Sequence, residues 1–576
     1  MKHGPTVGDC RVGRSGHILG VSPMRRWSAT GRMTSELRKE RFMEETTRRN
    51  FIVGAAAAAA ACGVGVAGAS EQPWLPEWGV EADVVVVGYG GAGAAAAIAA
   101  HDAGASVVIL EKCPWNAGGN TGSSSGALHT AAFSDPEEWT AKAKHGVFGT
   151  VSEETVEAMI PKALATPEWF EEIGLDINWV DYTSNAAYRP KESKTGYVAG
   201  RDGAEGRFLF EALDELVTAR GIEVRLGTPA KSLVQDPVSG AVLGVVAEDG
   251  TAYRAAKAVI LACGGYENDP WMQGQFNNPG IRLFPWGTPY NTGDGIKMVS
   301  KVGAQLWHMH GLEFSAVNFR VPSVECDCSI STNATAGIEP FNHIFVNQAG
   351  KRFMNEAKSM NHDIEPKPAM DFSASQSEYK NLPFYMVFDQ TMFDYAPLWI
   401  GSGRSGIVNT YAGVYNATHD EPLCDWGPDN TKALERGWIV KGDTLEELAE
   451  KMHGFRPCGE ELAGVDGEAL RATVEEFNAM CAAGEGDTAF ERPAEKMLPL
   501  DNPPYYAIEM GFSCINTQGG PVRDEFCRTI DYDGNPIPGL YNVGEFGSIN
   551  GFVYVCGNIF EALWTGRIAG QHAAAL

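Results

Sequence analysis

The sequence lacks the closely spaced cysteines on which many haem and metal sites depend. Its 12 cysteines are scattered, and none of them forms a CxxC or CxxCH segment. Attachment of c-type haem requires CxxCH, and structural zinc sites commonly use paired CxxC segments. The spacing therefore excludes covalent c-type haem in this chain and predicts no metal site. An iron-sulfur cluster built from distant cysteines stays open.

The chain is also poor in positive charge. It carries 46 Lys and Arg against 73 Asp and Glu, a formal net charge of -27. Such a surface repels nucleic acid and anionic membranes, so neither is expected as a partner, and solubility is the simplest explanation of the acidity. At 576 residues and 44% hydrophobic content, the chain can bury a large core and form two or more domains.

One apolar run near the N-terminus has the features of an export signal. Thr47-Arg48-Arg49-Asn50-Phe51-Ile52 opens it, seven alanines follow at 55–61, and it closes on Ala67-Gly68-Ala69. The run is short for a membrane span, whereas paired arginines with a small-residue exit are typical of twin-arginine signals. We predict export by the twin-arginine pathway to the periplasm or cell surface. The alternative is an Ala-rich helix of the mature fold.

Residues 83–111 carry a pattern typical of dinucleotide binding. An apolar run enters Gly88-Tyr89-Gly90-Gly91-Ala92-Gly93, an Ala-rich segment follows, and a second apolar run stops at Glu111. This order predicts a strand, a glycine turn, a helix and a second strand. The first glycine allows the tight turn, the second lets the backbone approach a pyrophosphate, and the third lets the helix pack on the strand. Glu111 can accept a hydrogen bond from a ribose hydroxyl.

A second glycine-rich segment follows at residues 118–126. It combines glycines with Asn120, Thr121 and a run of serines. This composition predicts an irregular loop that places backbone N–H groups beside a ligand, with an ordinary surface loop as the alternative.

The distribution of these patterns divides the chain into several parts. Between residues 311 and 502 the Gly-rich patterns give way to aromatic loops, Pro-rich segments and two clear helices, and they return after Pro503-Pro504. We predict an α/β fold: a Rossmann-like nucleotide-binding domain built from two chain segments, with an inserted α+β capping domain. The predicted parts are an upstream extension and export signal (1–69, the signal starting at Met33 or Met43), a linker (70–80), the nucleotide-binding domain (81–310 and 503–576) and the cap (311–502).

Taken together, the motifs resemble the soluble flavoprotein fumarate reductase family, which shares its flavin fold with urocanate reductase and 3-ketosteroid dehydrogenases. The resemblance covers residues 80–576 and rests on landmarks that occur in the family's order. These are residues 111–112 with 118–121, 262–266, 293–295, 347–356, 487–493, 504–509, 537–545 and 566–570.

The resemblance implies that the cofactor is FAD, bound non-covalently. Glu545 would bind the ribityl chain, and backbone N–H groups at Ile559 and Phe560 would face the pyrimidine edge of the flavin. N–H groups that open a helix there would stabilise negative charge on the reduced ring. The residues predicted to bind FAD are Gly88, Gly90, Ala92, Gly93, Glu111, Lys112, Gly119, Asn120, Thr121, Gly122, Ser125, Gly126, Asp294, Glu545, Ile559 and Phe560.

At four positions this chain differs from the residues that hold fumarate in the fumarate reductase family. Ser315 replaces a histidine, Met360 stands where the proton-donating arginine would be, Asn516 replaces a histidine, and Tyr554 replaces a carboxylate-binding arginine. Each change removes a positive or potentially positive group, so a dicarboxylate would lose charge-assisted hydrogen bonds. We therefore expect a substrate other than fumarate.

The neutral side chains at these positions suit a neutral acceptor. Tyr554 is the predicted catalytic residue, because its hydroxyl can bond a carbonyl or move a proton at carbon, as tyrosines do in 3-ketosteroid dehydrogenases. A packed aromatic is the alternative for Tyr554, and Lys358 or His362 is an alternative proton donor. The predicted substrate-binding residues are Ser315, Met360 and Asn516.

The expected activity is FAD-dependent reduction of an activated C=C bond, with hydride passing from flavin N5. The acceptor would be a neutral or mono-anionic small molecule, such as a steroid-like enone or an aryl enoate. Because the chain has no c-type haem attachment segment, electrons are expected from a separate donor such as a cytochrome c or a membrane quinol dehydrogenase. Desaturation in the manner of a 3-ketosteroid dehydrogenase and a non-catalytic flavin electron carrier remain as alternatives.

Overall fold

The computed structural model describes most of the chain after the predicted export signal. Residues 75–576 form one compact unit. Met360, Tyr554 and the export signal lie outside the described residues, so the predictions made for them are not addressed by the fold. The described residues are 74–576 without 183–189, 202–205, 278–282, 286, 323–326, 331–340, 359–370, 399–413, 416–417, 424, 456–460, 463 and 552–556.

The first half of the described chain contains both strands and helices. The strands are β1 (Trp78–Val87), β2 (Val107–Leu110), β3 (Leu128–Thr130), β4 (Ile177–Asp181), β5 (Lys194–Val198), β6 (Glu223–Arg225), β7 (Ala230–Gln235), β8 (Val242–Ala247), β9 (Ala252–Leu261), β10 (Leu283–Pro285) and β11 (Leu306–Trp307). The helices are α1 (Gly91–Asp102), α2 (Gly119–Gly122), α3 (Pro136–Gly146), α4 (Glu153–Ala163), α5 (Thr166–Ile173), α6 (Gly206–Ala219), α7 (Pro270–Phe276) and α8 (Asp294–Lys301).

The second half of the described chain is richer in short strands. These strands are β12 (Leu312–Pro322), β13 (Asp327–Ile330), β14 (His343–Asn347), β15 (Phe372–Ser373), β16 (Glu378–Tyr379), β17 (Phe384–Asp389), β18 (Ile439–Gly442), β19 (Gly454–Phe455), β20 (Glu461–Leu462), β21 (Tyr505–Thr517), β22 (Gly520–Pro521), β23 (Arg528–Ile530) and β24 (Pro536–Asn542). The helices are α9 (Gln390–Tyr395), α10 (Thr431–Glu435), α11 (Leu445–Lys451), α12 (Gly467–Ala483) and α13 (Asn558–Ala574), with 3-10 turns at Glu356–Lys358 and Ala494–Lys496.

The larger sheet in the described part of the chain positions the functional site. Its order is β23-β24-β9-β1-β2-β6, with β8 on β9 and β7 on β8, and β1 runs parallel to both β2 and β9. Val84 to Val87 of β1 are almost fully buried on both faces of the sheet, which is why they form a continuous apolar run rather than an alternating one. Val87 pairs with Leu110 of β2 and with Leu261 of β9, so three strands end at one edge.

Two helices of small residues pack closely against each other beside this sheet. A Cβ at Gly566 of α13 would lie 2.5 Å from the backbone oxygen of Ala92 and 2.9 Å from the Cβ of Ala95. Only residues without bulk allow two helices to approach so closely, which explains the Ala-rich composition of α1. Because β24 pairs in parallel with β9, the C-terminal return joins the same sheet as the first glycine motif.

A second sheet carries the capping region. Its order is β13-β12-β21-β17-β14, with β10 and β18 also paired to β21. The long strand β21 follows residue 503, so this sheet takes its central strand from the C-terminal segment and β10 from the first. Helices α11 and α12 pack on the sheet through a shared apolar cluster that includes Leu448, Leu470 and Phe477.

A buried ion cluster lies at one end of this capping region. Glu356 Oε1 accepts from Arg352 Nε at 2.8 Å, and Glu356 Oε2 accepts from Arg492 Nη1 at 3.0 Å. Arg352 also donates to Asp487 Oδ2 at 2.7 Å. The side chains of Glu356 and Arg492 are 0% exposed. Burial raises the pKa of Glu356, but the two guanidinium groups more than offset it, so its pKa lies below the ordinary value.

Most local predictions agree with the structure, and one is wrong. Thr444 caps α11 by accepting from Glu447 N at 3.2 Å, and α12 is the second of the two helices predicted in the cap. The segment 118–126 was predicted to be irregular throughout, whereas Gly119–Gly122 forms one turn of helix, α2. Composition hides this turn because Gly118 takes a left-handed conformation (φ 70°) that starts it, and tertiary contacts then hold the glycines. No helix in the described residues is long and apolar enough to cross a membrane.

Candidate functional site

A deep pocket lies at the edge where β1, β2, β9 and β24 end. Val87, Leu110, Ala262 and Val543 line its floor, and each is the last residue of a strand or the residue after it. Ligands of open parallel sheets bind at this edge, because the loops that follow the strands diverge there.

The N-termini of two helices open into the pocket. α1 begins at Gly91 beside Gly90, and α13 begins at Asn558 beside Ile559, and all four residues line the pocket. Free N–H groups and the positive end of the helix dipole favour negatively charged ligand groups at both places. The pocket therefore suits an elongated ligand with an anionic centre and a second electron-rich end.

Gly88 and Gly93 of the first glycine motif lie too close to other backbone atoms to carry a side chain. Gly88 has φ +102°, and a Cβ there would lie 2.8 Å from the carbonyl carbon of Ala262 and overlap its oxygen. A Cβ at Gly93 would overlap the carbonyl oxygen of Gly88. The predicted roles, a tight turn and helix-to-strand packing, match these contacts.

Glu111 is placed at the pocket wall by two backbone donors. Its Oε2 accepts from Tyr89 N at 2.7 Å and its Oε1 accepts from Cys113 N at 2.7 Å. Burial raises the pKa of Glu111, and the two N–H groups and nearby Lys112 oppose that rise. Glu111 lines the pocket, and its carboxylate has more lone pairs than these two donors use, as an acceptor for ribose hydroxyls requires.

Substitution of Glu111 tests this assignment. We expect Glu111→Gln to weaken FAD binding by about tenfold or more, because a charge-assisted hydrogen bond from the ribose is replaced by a neutral one. Flavin fluorescence after dilution of the full-length holoprotein measures the dissociation. An unchanged dissociation constant would contradict the assignment.

Lys112 and Asp294 form a polar pair on the same wall. Lys112 Nζ donates to Asp294 Oδ2 at 2.6 Å and to Thr292 Oγ1 at 2.7 Å. Asp294 opens α8, and both charged residues line the pocket. Their mutual contact gives the Lys112 ammonium group a counterion within the wall.

Two carboxyl groups meet beside the pocket, which Glu545, Asn120 and Asn291 line. The Nδ2 atom of Asn120 lies 2.9 Å from Glu267 Oε1 and 3.1 Å from Glu545 Oε1. The Nδ2 atom of Asn291 lies 2.8 Å and 2.9 Å from the same two oxygens. Burial raises the pKa of Glu267, and burial together with the charge of Glu267 raises the pKa of Glu545 well above its ordinary value.

Two amides on the pocket wall have uncommitted donors. Asn516 is 1% exposed and Asn558 is 9% exposed. The Nδ2 atom of each is buried and has no hydrogen-bond partner among the described residues, although both residues line the pocket. Asn558 Oδ1 accepts from Asn550 Nδ2 at 2.8 Å, which fixes the orientation of its amide. A buried donor without a partner calls for a ligand acceptor.

The structure brings most of the predicted FAD residues to this pocket. Gly93, Gly122, Gly126 and Phe560 do not line it; Gly93 and Gly122 instead touch neighbouring backbone, and Phe560 is 0% exposed in the core. The predicted residues that do line it are Gly88, Gly90, Ala92, Glu111, Lys112, Gly119, Asn120, Thr121, Ser125, Asp294, Glu545 and Ile559.

The predicted substrate residues are described less completely. Asn516 lines the pocket. Ser315 lies in β12, one strand away from Asn516 in β21. Met360 and Tyr554, and the alternative donor His362, fall outside the described residues. Their predicted roles therefore stay predictions.

Several pocket residues were missed by the sequence reasoning. Asn291 bridges Glu545 to Glu267, which was also missed, and Asn558 precedes the predicted Ile559. His129 also lines the pocket; its Nδ1 lies 2.7 Å from Thr195 Oγ1, and its ring centroid lies 4.5 Å from that of Tyr182. Glu267 follows the Gly264-Gly265 landmark, and that position was the available signal.

These features define a site for FAD, and comparison with known proteins identifies the family. The signature of the family described as "FAD binding domain" matches residues 83–559. The chain belongs to this family, and the predicted class, an FAD-dependent oxidoreductase of CH–CH groups, is confirmed at the level of the family. Non-covalent attachment of the FAD stays a prediction.

Relatives of known activity cover most of the chain. It is 29% identical over 517 residues to the urocanate reductase of Eggerthella lenta, covering 86% of this chain and 75% of that protein. It is 27% identical over 511 residues to the NADH:fumarate oxidoreductase of Klebsiella pneumoniae, covering 85% of this chain but only 47% of that longer protein.

A solved structure confirms the predicted α/β fold. The 3-ketosteroid Δ1-dehydrogenase of Sterolibacterium denitrificans superimposes with a TM-score of 0.65 at 21% identity, covering 86% of this chain and 99% of that one. The predicted resemblance to fumarate reductase, urocanate reductase and 3-ketosteroid dehydrogenases is therefore confirmed.

Proposed function

We propose that the protein is an exported FAD-dependent reductase of an activated C=C bond in a neutral or mono-anionic organic acceptor. A steroid-like enone or an aryl enoate has the required chemistry, namely a carbonyl conjugated to the bond that is reduced. The reductase relative from Eggerthella lenta supports the reaction type. The twin-arginine pattern at residues 47–69 supports export.

The observation that carries this proposal is the uncommitted amide of Asn516. Its buried Nδ2 lines the FAD pocket and has no partner in the described protein. A buried donor without an acceptor costs about 1–3 kcal/mol, and a substrate carbonyl that accepts from it restores that energy. An uncharged donor favours the carbonyl of an enone or enoate over a dicarboxylate.

The charges of the pocket support the same class of acceptor. None of the described residues that line it is an arginine, and Lys112 is paired with Asp294 at 2.6 Å. Two carboxylates of a substrate would therefore be desolvated without a matching cation. We propose that the acceptor carries at most one negative charge.

The protein's contribution to the reaction is to bind, orient and protonate. Bound FAD supplies the hydride, and α1, α13, Glu111 and Glu545 would hold it. Asn516 polarises the acceptor carbonyl, which makes the β-carbon electron-poor. Tyr554 is the proposed donor of the proton to the α-carbon, with Lys358 or His362 as the alternative.

Electron supply is part of the proposal. A small-molecule acceptor takes two electrons in each turnover, and the sequence has no CxxCH segment for a c-type haem of its own. We therefore propose a separate donor, a cytochrome c or a membrane quinol dehydrogenase.

An anaerobic dye assay tests the direction and the acceptor class. Purified full-length protein is mixed with reduced viologen and a panel of enones, aryl enoates and fumarate. We expect dye oxidation that depends on an enone or enoate. Dye reduction that depends on a saturated ketone, with no reductase activity, would instead support the 3-ketosteroid dehydrogenase direction and contradict the proposal.

Replacement of Asn516 tests its role. We expect Asn516→Leu to lower kcat/KM for the accepted enone by about tenfold, because the carbonyl loses a buried hydrogen-bond donor. The flavin content and visible spectrum of the variant serve as the control for folding and FAD binding. Unchanged kcat/KM in a fully flavinated variant would show that Asn516 does not bind the acceptor carbonyl.

A further inference from the structure

The carboxyl groups of Glu267 and Glu545 share their hydrogen-bond donors. Asn120 and Asn291 each place one Nδ2 atom within 2.8–3.1 Å of both Oε1 atoms. Glu545 Oε1 also accepts from Gly265 N at 3.0 Å. Two amides therefore bridge two carboxyl groups, which brings the groups into the same small volume.

No positive charge compensates this pair among the described residues. Neither Glu267 nor Glu545 takes part in a salt bridge there, and the groups in contact with them are amides, a hydroxyl and a backbone N–H. Glu267 is 0% exposed. Two carboxylates without a cation in such a place repel each other and lose their hydration, and retaining one proton removes most of that cost.

The hydrogen bonds indicate which oxygen carries the proton. Thr517 Oγ1 accepts from Tyr266 N at 2.8 Å, so its own hydrogen is directed to Glu267 Oε2 at 3.2 Å. Glu267 thus receives donors on both oxygens, as an anion should. Glu545 Oε2, by contrast, has only the long 3.4 Å contact to Asn120 Nδ2, and Glu545 lines the pocket.

We propose that Glu267 and Glu545 hold one proton between them, and that Glu545, as the neutral acid, donates a hydrogen bond from Oε2 to the bound FAD. Glu267 is then a positioning residue, whose negative charge keeps the proton on its neighbour. Glu545 lines the FAD pocket and contacts no acceptor in this assignment, which therefore holds whichever acceptor the enzyme reduces.

Among the described residues, the other titratable groups that interact with the pair are acids, which supply no positive charge. Tyr266 interacts electrostatically with Glu267, and Cys514 interacts with both glutamates. Burial raises the pKa of each group, so both are neutral at neutral pH. Glu313 is a further acid near Cys514, and it adds negative potential.

The first test compares two glutamines in the same pocket. Glu545→Gln replaces a neutral acid by a neutral N–H donor, so we expect the full-length protein to keep its FAD dissociation constant within about threefold, whereas Glu111→Gln loses about tenfold or more. Flavin fluorescence on dilution of the holoprotein measures both. Equal losses in the two variants would show that Glu545 acts as a carboxylate acceptor and would overturn the proposal.

The second test uses pH and needs no substrate. A carboxyl whose pKa is raised in the folded protein keeps a proton that the unfolded chain releases, so stability falls as pH rises from the ordinary carboxyl pKa toward the raised one. The thermal unfolding temperature of the wild-type holoprotein should fall more steeply than that of Glu267→Gln as pH rises above the ordinary carboxyl pKa, with the two converging at the acid end.

These two tests separate the proposal from the proposed reductase function. Parallel pH profiles for wild type and Glu267→Gln would refute the shared proton. Neither measurement uses an acceptor, so both tests of the shared proton remain valid if the enone assay shows no activity.

Discussion

Gly88→Ala should abolish stable FAD binding. Gly88 has φ +102°, and an added Cβ would lie 2.8 Å from the carbonyl carbon of Ala262 and overlap its oxygen. Backbone strain and the clash together should cost about 3 kcal/mol or more, and the strand-to-helix turn that aims α1 at the pocket would shift. Soluble yield, flavin content and thermal unfolding of the purified protein measure the effect.

Gly104→Ala is the matched control. Gly104 also has a left-handed backbone, φ +93°, but an added Cβ meets nothing within 4 Å. Its cost should be the strain alone, about 1 kcal/mol, with FAD fully retained. If both variants behaved alike, the contact with Ala262 would not be what requires glycine at position 88.

Arg492→Leu should destabilise the capping region strongly. The guanidinium group of Arg492 donates to Glu356 Oε2 at 3.0 Å and to the backbone oxygens of His343, Phe341 and Lys496 at 2.8, 2.9 and 2.7 Å. Leucine would remove a donor from each of these three carbonyl groups and from a buried carboxylate, although the Phe341 oxygen keeps a hydrogen bond from Leu498 N at 3.2 Å. We expect the free energy of unfolding to fall by about 3–5 kcal/mol. Circular dichroism during heating measures the change.

Arg471→Leu provides the comparison for a surface charge. Arg471 pairs with Glu475 at 2.6 Å, but its side chain is 43% exposed, so water replaces the lost contact. The unfolding temperature should change little. A similar fall for both arginines would mean that burial of the Arg352, Glu356, Asp487 and Arg492 cluster is not what stabilises it.

The sequence was most informative where one residue type is required by geometry. Gly88, Gly93 and Glu111 were assigned from spacing alone, because a tight turn, a close helix contact and a ribose acceptor each tolerate few alternatives. The strands β1 and β2 and the helix α1 followed from the same pattern. These elements suffice to place the nucleotide end of the pocket.

The pairing of strands that are distant along the chain could not be predicted from the sequence. Strand β21 begins just after Pro503-Pro504 and supplies the central strand of the cap sheet, although its sequence neighbours β23 and β24 join the other sheet. Nothing in the local pattern of a buried strand indicates which sheet it enters. The helical turn at Gly119–Gly122 was missed for a similar reason, because Gly118 and Gly119 lie close to Phe210 and Gly90, which are distant in sequence.

The interaction between Glu267 and Glu545 also could not be predicted from the sequence. Glu267 and Glu545 are separated by 278 positions along the chain, as their numbering shows. The spacing of each in its own segment predicts at most one FAD contact, at Glu545. Their interaction with Asn120 and Asn291 depends on four segments that meet only in the fold.

Single-turnover reoxidation of the bound flavin tests the central claim most directly. The full-length holoprotein is reduced anaerobically and mixed with an enone, an aryl enoate or fumarate, and the flavin absorbance is followed. We predict rapid reoxidation by at least one neutral or mono-anionic acceptor and none by fumarate. Reoxidation by fumarate at a comparable rate, or by none of the C=C acceptors, would contradict the account.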